Sequence, residues 1–122
     1  EMNYKKMLIF TIKGNYDLVV GSIKKRYKNS YGVLDIKNNR IKNITEKPNS
    51  SFNISSGIYI IKNTKNLNLI PKNKFFTVPN LIERYLSKGL SVGAYDIKDY
   101  WIGIENMENL KKVGVRLNKK SV

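Results

Sequence analysis

Tyr4, Met7, Leu8, Thr11 and Ile12 recur at the spacing of one face of a short amphipathic helix, and Gly14 follows as its stop. From Tyr16 to Ile23 the β-branched residues cluster, which predicts a strand over Asp17, Leu18, Val19 and Val20 that ends near Gly21. Lys24 to Ser30 reads as a basic loop. Tyr31 to Lys37 and Arg40 to Glu46 then flank Asn38-Asn39, two residues that tolerate the positive φ of a type I′ turn, so a hairpin is expected. Pairing outward from that turn sets Asp35 opposite Lys42, Val33 opposite Ile44 and Tyr31 beside Glu46. Pro48 ends the second strand, because proline has no N–H for a ladder.

The continuous apolar run of Ile58, Tyr59, Ile60 and Ile61 after Gly57 predicts a central strand covered on both faces, with helices above and below. Thr77 caps a helix whose apolar positions are Val78, Leu81, Ile82, Tyr85 and Leu86, with Pro79 in its first turn and Gly89 past its end. Ser91 to Ile97 reads as a strand, Trp101 and Ile102 as a short one, and Met107 to Leu117 as a closing helix. Strands interleaved with helices predict one α/β layered domain over residues 1–122. The start at Glu1-Met2-Asn3 is abrupt, and suggests a chain that begins part-way through a larger domain.

The 23 Lys and Arg against 9 Asp and Glu give a formal net charge of +14, attractive to phosphates, nucleic acid or anionic lipid. The lysines are scattered among abundant Asn and Ile, so a solvated basic surface is favoured over a dedicated polyanion groove. The absence of Cys rules out disulfides and thiolate metal sites; the absence of His removes the usual general base and excludes Ser-His and Cys-His hydrolases. No apolar run approaches the ~20 residues that span a bilayer, and the N-terminus is unlike a signal peptide, so a cytoplasmic protein is expected.

Five motifs in order (Tyr31-Gly32-Val33, Glu46-Lys47-Pro48, Ser56-Gly57-Ile58-Tyr59, the stretch from Phe76 to Ile82, and Gly93 through Ile102) resemble the C-terminal, sugar-binding half of sugar-1-phosphate nucleotidyltransferases. That resemblance implies part of a Rossmann-like, GT-A-like mixed sheet with a β-hairpin and flanking helices. It implies an enzyme class that joins a nucleoside triphosphate to a sugar 1-phosphate, of the kind serving surface-polysaccharide synthesis, with magnesium in the full-length family. By the same resemblance Glu46 accepts hydrogen bonds from sugar hydroxyls, Lys47 contacts the sugar's phosphate as the one catalytic cation, and Gly32, Ser55 and Gly57 line the pocket. A carboxylate suits paired hydroxyl donors and an ammonium suits an anionic oxygen. Tyr31 could flank the sugar, with core packing as its alternative, and each glycine could instead mark a bulge or bend.

Departures from the family pattern accompany the match. The eight glycines include no Gly-x-Gly pair, so a phosphate-cradling loop is absent and the nucleotide-binding half is expected to lie outside this sequence, leaving the chain inactive alone. Where family members carry a magnesium-holding Asp, this chain has Gly103, so no metal is expected on this fragment; Glu105 is read as a helix-entry residue. Ser55-Ser56 replaces the family's Asn-Ala. Two other readings stay open: a degenerate or regulatory relative that binds sugar phosphate without catalysis, and a basic nucleic-acid-binding domain, for which no specific nucleic-acid motif is found. Half a layered sheet leaves an open edge, so homo-oligomerisation is expected.

Overall fold

Helix α1 (Tyr4–Lys13) begins where the Asn3 side chain accepts a hydrogen bond from the Lys6 amide at 3.0 Å. Met7 and Thr11, one turn apart, are its buried residues, and the Thr11 hydroxyl donates back to the Met7 carbonyl at 2.9 Å. The stop differs from the sequence reading: Gly14 keeps helical dihedrals (φ −78°), and Asn15 (φ 51°) makes the left-handed turn. Asn manages this because its short polar side chain tolerates that region. The computed structural model describes residues 2–120, so the abrupt start read at Glu1 lies outside the described residues.

Strand β1 (Leu18–Lys28) runs through Gly21 and through Lys24 to Lys28 of the segment read as a basic loop, leaving Asn29 and Ser30 outside it. It pairs antiparallel with β4 (Asn49–Ile61), from Leu18 opposite Ile61 to Lys28 opposite Asn49, with an irregularity between Val20 and Ser22. It pairs parallel with β5 (Val92–Asp96), from Leu18 opposite Val92 to Ser22 opposite Asp96. The sheet order β4-β1-β5 puts Ile58 to Ile61 on an edge, half-buried, and gives the centre to β1. A run of apolar residues reports contact with a core but not the number of neighbouring strands, which is why the sequence reading chose the wrong strand as central.

Alternation along β1 divides the core. Leu18 packs with Leu81 and Tyr85 of α2 (Val78–Ser87), flanked by Tyr59, Ile61, Leu90 and Val92. Val19 faces the other way and is fully buried, as is Met7 of α1, and the Phe10 ring of α1 stacks on Tyr16 and meets Tyr95 edge-on at 5.4 Å. α2 follows the sequence reading: Thr77 and Asn80 cap each other reciprocally, Pro79 sits in the first turn, and Gly89 (φ +69°) turns the chain out. Burial pushes the Tyr85 phenol above its ordinary value of 10.0, and the Asp17 carboxylate adds to this.

Beyond Ser22, β1 and β4 leave the three-stranded region as a bare two-stranded ribbon, closed at its far end by the Asn29 amide donating to the Pro48 carbonyl at 3.2 Å. The ribbon carries the hairpin of β2 (Val33–Lys37) and β3 (Arg40–Thr45), whose turn has Asn38 and Asn39 at φ 50° and 59° as the sequence predicts. Its register is offset by one from the sequence reading: Asp35 faces Asn43, Leu34 faces Ile44 and Val33 faces Thr45, with a bulge between Asp35 and Ile36. The bulge has a reason in the sequence. Leu34 and Ile36 are two residues apart but Ile41 and Ile44 are three apart, so one extra residue in β3 is needed to bring all four to one face. Both strands are exposed throughout.

Trp101 and Ile102 form no strand; they lie in the link to α3 (Met107–Lys120), which runs past the expected end at Leu117. A hydrogen bond from Lys112, and its charge, hold the Glu108 carboxyl below its usual 4.5. The architecture is a mixed α/β sheet with flanking helices, and among the described residues no helix is long and apolar enough to cross a membrane.

Candidate functional site

Two short links, residues 29–32 and 46–48, join ribbon to hairpin and form a hinge. Across it, Glu46 and Gly32 are neighbours: a Cβ at Gly32 would stand 3.7 Å from Glu46 Oε2. The Tyr31 amide donates to Asn29 Oδ1 at 3.0 Å, which turns the chain and leaves the Tyr31 ring 79% exposed. A cleft of about 610 Å³ opens beside this hinge, lined in part by Tyr27, Lys28, Tyr31, Thr45, Pro48 and Phe52. Tyr27 and Phe52 meet edge-on at 5.7 Å and supply its aromatic wall. Glu46 and Lys47 are exposed and lie in sequence between the lining residues Thr45 and Pro48, without lining the cleft themselves. Lys47 sits at φ 42°, so the link turns sharply at the cation. An aromatic wall with Lys28 at its rim and a carboxylate next to it can take a polar ring bearing an anionic group.

Ser55 and Gly57 are held elsewhere. Both lie in β4, where the Ser55 hydroxyl shares a hydrogen bond with the Tyr59 hydroxyl at 2.9 Å and accepts one from the Gly57 amide at 3.3 Å. Gly57 has φ +79° with open space around it, a conformation a side chain would strain. From Asn49 at the hinge to Ser55 is roughly 20 Å of strand. The structure brings Tyr31, Gly32, Glu46 and Lys47 to one hinge and sets Ser55 and Gly57 at the sheet end of the ribbon.

Near that sheet end lies a second cleft, about 230 Å³, whose walls include Lys25, Trp101, Gly103, Glu105 and Asn109. Trp101 Nε1 donates to the Ser56 carbonyl at 3.0 Å, and Asn109 Nδ2 donates to the Gly103 carbonyl at 2.9 Å. Glu105 lies at the entry to α3, and the cap is Asn106, whose Oδ1 accepts from the Asn109 amide at 2.9 Å. Glu105 turns back instead: its Oε1 lies 3.4 Å from where a Cβ on Gly103 would be. Among the described residues no group of three carboxylates or other metal-ligating side chains gathers.

Sequence reasoning missed the ribbon, and with it both the aromatic wall and the tether from Trp101. The signal was present in the alternation of Ile23, Lys25 and Tyr27 with Lys24, Arg26 and Lys28, a period of two that the density of cations obscured.

The family described as Nucleotidyl transferase matches residues 1–120. Among solved structures the fold is similar to that of HddC from Yersinia pseudotuberculosis, with a TM-score of 0.64 and 25% sequence identity over 96% of this chain and 50% of that one. The chain thus spans half the length of HddC. A match over nearly the whole sequence, on a mixed sheet that shares its fold with HddC, places this chain in the nucleotidyl transferase family.

Proposed function

We propose that this chain is the sugar-phosphate-binding half of an enzyme that condenses a nucleoside triphosphate with a sugar 1-phosphate. In that reaction an oxygen of the sugar's phosphate attacks the α-phosphorus of the nucleotide. The bond from that phosphorus to the β-phosphate oxygen breaks, and pyrophosphate leaves. The attacking oxygen is already ionised, so a chain without histidine is no obstacle; catalysis depends on positioning and on cations that offset accumulating charge. The observation that carries the reading is the approach of Glu46 to Gly32 at the hinge, beside the cleft that Tyr31 lines. There Glu46 would accept from sugar hydroxyls; the space over Gly32 is taken by Ile44, whose Cδ1 stands 3.2 Å from where a Cβ would be, so the ring would enter from the cleft side. Lys47, on the next residue, would hold the phosphate. Ser55 and Gly57, at the sheet end of the ribbon, stand apart from this site.

Magnesium, when bound to such an enzyme, neutralises charge on the transferring phosphates. In this chain Glu105 is the carboxylate that reaches toward position 103 and would supply an oxygen ligand there, whereas Asn109 turns its amide nitrogen to the Gly103 carbonyl. The nucleotide would be held by a partner half, consistent with a chain that spans half of HddC.

The test is pyrophosphate release by the longer protein with a panel of sugar 1-phosphates. Glu46→Ala should raise the KM for the sugar phosphate about 10- to 100-fold, the loss expected for hydrogen bonds to a charged group. An unchanged rate and KM would remove its role. A second reading, a relative that binds sugar phosphate without turnover, is favoured by Gly103 alone. Under it, Gly103→Asp should create turnover or magnesium dependence where none existed.

A further inference from the structure

Side chains alternate along a strand, so Lys24, Arg26 and Lys28 share one face of the β1/β4 ribbon. Their partners in register on β4 are Asn53, Ser51 and Asn49. The opposite face takes Ile23, Lys25 and Tyr27 against Ile54, Phe52 and Ser50. One face of the ribbon is therefore partly apolar and aromatic, and the other is entirely polar with three cations in a row. All three are exposed, and among the described residues none joins an ion pair. The carboxylate in register at the foot of this face is Asp96, opposite Ser22.

Three like charges aligned on one strand repel one another, and nothing in the ribbon compensates them. Alternate residues of a strand stand about 6.8 Å apart. The rise of about 3.4 Å per phosphate is a projection on the duplex axis; along the strand itself neighbouring phosphates stand about 6–7 Å apart, so such cations are in step with successive phosphates. Ser51, Asn49 and Asn53 add neutral donors at the same spacing, of the kind that bind phosphate oxygens. No aromatic ring lies on this face to stack on a base, so contact would be with the backbone only.

We propose that the face of the ribbon built on Lys24, Arg26 and Lys28 is a docking surface for the phosphodiester backbone of nucleic acid, bound without regard to base sequence. It shares Lys28 with the hinge cleft but does not require a sugar phosphate there, and oligonucleotide binding is read separately from sugar-phosphate binding. The probe is a fluorescein-labelled oligonucleotide of about 15 nucleotides, within the span of known single-strand sites. Its anisotropy is followed as the chain is added, over a series of salt concentrations around 0.1 M. Two triple variants are compared, each losing three positive charges: K24Q/R26Q/K28Q on the ribbon, and K5Q/K6Q/K13Q on exposed positions of α1. The ribbon variant should bind about ten-fold or more weakly and lose about 2 from the slope of log affinity against log salt, the share of three released counterions. The α1 variant should change far less. Equal weakening in both variants, an unaltered ribbon variant, or no saturable binding by the unmodified chain would each overturn the proposal. K24R/K28R, which keeps the charge, should bind as the unmodified chain does; a loss there would also count against it.

Discussion

Trp101 is tied to Ser56: the indole Nε1 donates to the Ser56 carbonyl at 3.0 Å, joining two parts of the chain 45 residues apart. The bond pins the link before α3 against β4, in the stretch where the pairing with β1 changes register. Trp101→Phe keeps an aromatic ring but removes the donor, leaving the carbonyl unpartnered. It should lower stability by about 1–2 kcal/mol in urea denaturation followed by circular dichroism. It should also speed amide exchange across residues 100–106. Unchanged stability and exchange would mean the tether bears no weight.

Tyr85 is fully buried and its hydroxyl has no hydrogen-bond partner. Removing an unpartnered hydroxyl relieves a desolvation penalty, so Tyr85→Phe should be neutral or stabilising by up to about 1 kcal/mol. The pH dependence follows from the raised phenol. Above pH 10.0 the unfolded chain releases this proton first while the folded chain still holds it. The stability contributed is therefore complete below pH 10.0 and is lost as pH rises through the folded value. Thermal unfolding measured from pH 8 to 11 should show this alkaline loss in the unmodified chain and a shallower one in Tyr85→Phe.

The hairpin extends from the end of the ribbon with both strands exposed. Its turn demands positive φ at Asn38 and Asn39, which glycine adopts with less strain. Asn39→Gly should slow amide exchange at Ile36 and Ile41 several-fold while moving the global unfolding midpoint by less than about 0.5 kcal/mol. A large global shift would show instead that hairpin and core fold as one unit.

Local chemistry was legible in the sequence wherever one residue dictates it. The Thr77 cap and the Asn38-Asn39 turn are set by side chains beside their own backbone, and the turn at Gly89 by the lack of one; all three hold. What depends on partners was not legible. Tyr59 and Ile61 pack on the cluster of Leu18, Leu81 and Tyr85 from an edge strand, and nothing in the run from Ile58 to Ile61 distinguishes an edge from a centre. The hairpin register slipped by one because the bulge is required by the spacing of Ile41 and Ile44, which a count outward from the turn ignores. The same holds for the candidate site. The motif Glu46-Lys47-Pro48 could be picked out from residue order, but its proximity to Gly32, and its separation from Ser55 along a ribbon read as loop, are properties of the folded arm. Glu105 was legible as a carboxylate at the entry to α3, but not the cap itself, which the next residue, Asn106, provides.

The central claim is that the hinge receives a phosphorylated sugar. Its most direct test is a titration of the isotope-labelled chain with glucose 1-phosphate and mannose 1-phosphate, followed by amide chemical shifts. The account predicts saturable changes centred on Tyr31, Gly32, Glu46 and Lys47 with either ligand, abolished by Glu46→Ala, and none with the unphosphorylated sugars at the same concentrations. Shifts absent from the hinge, or equal shifts with inorganic phosphate alone, would contradict it.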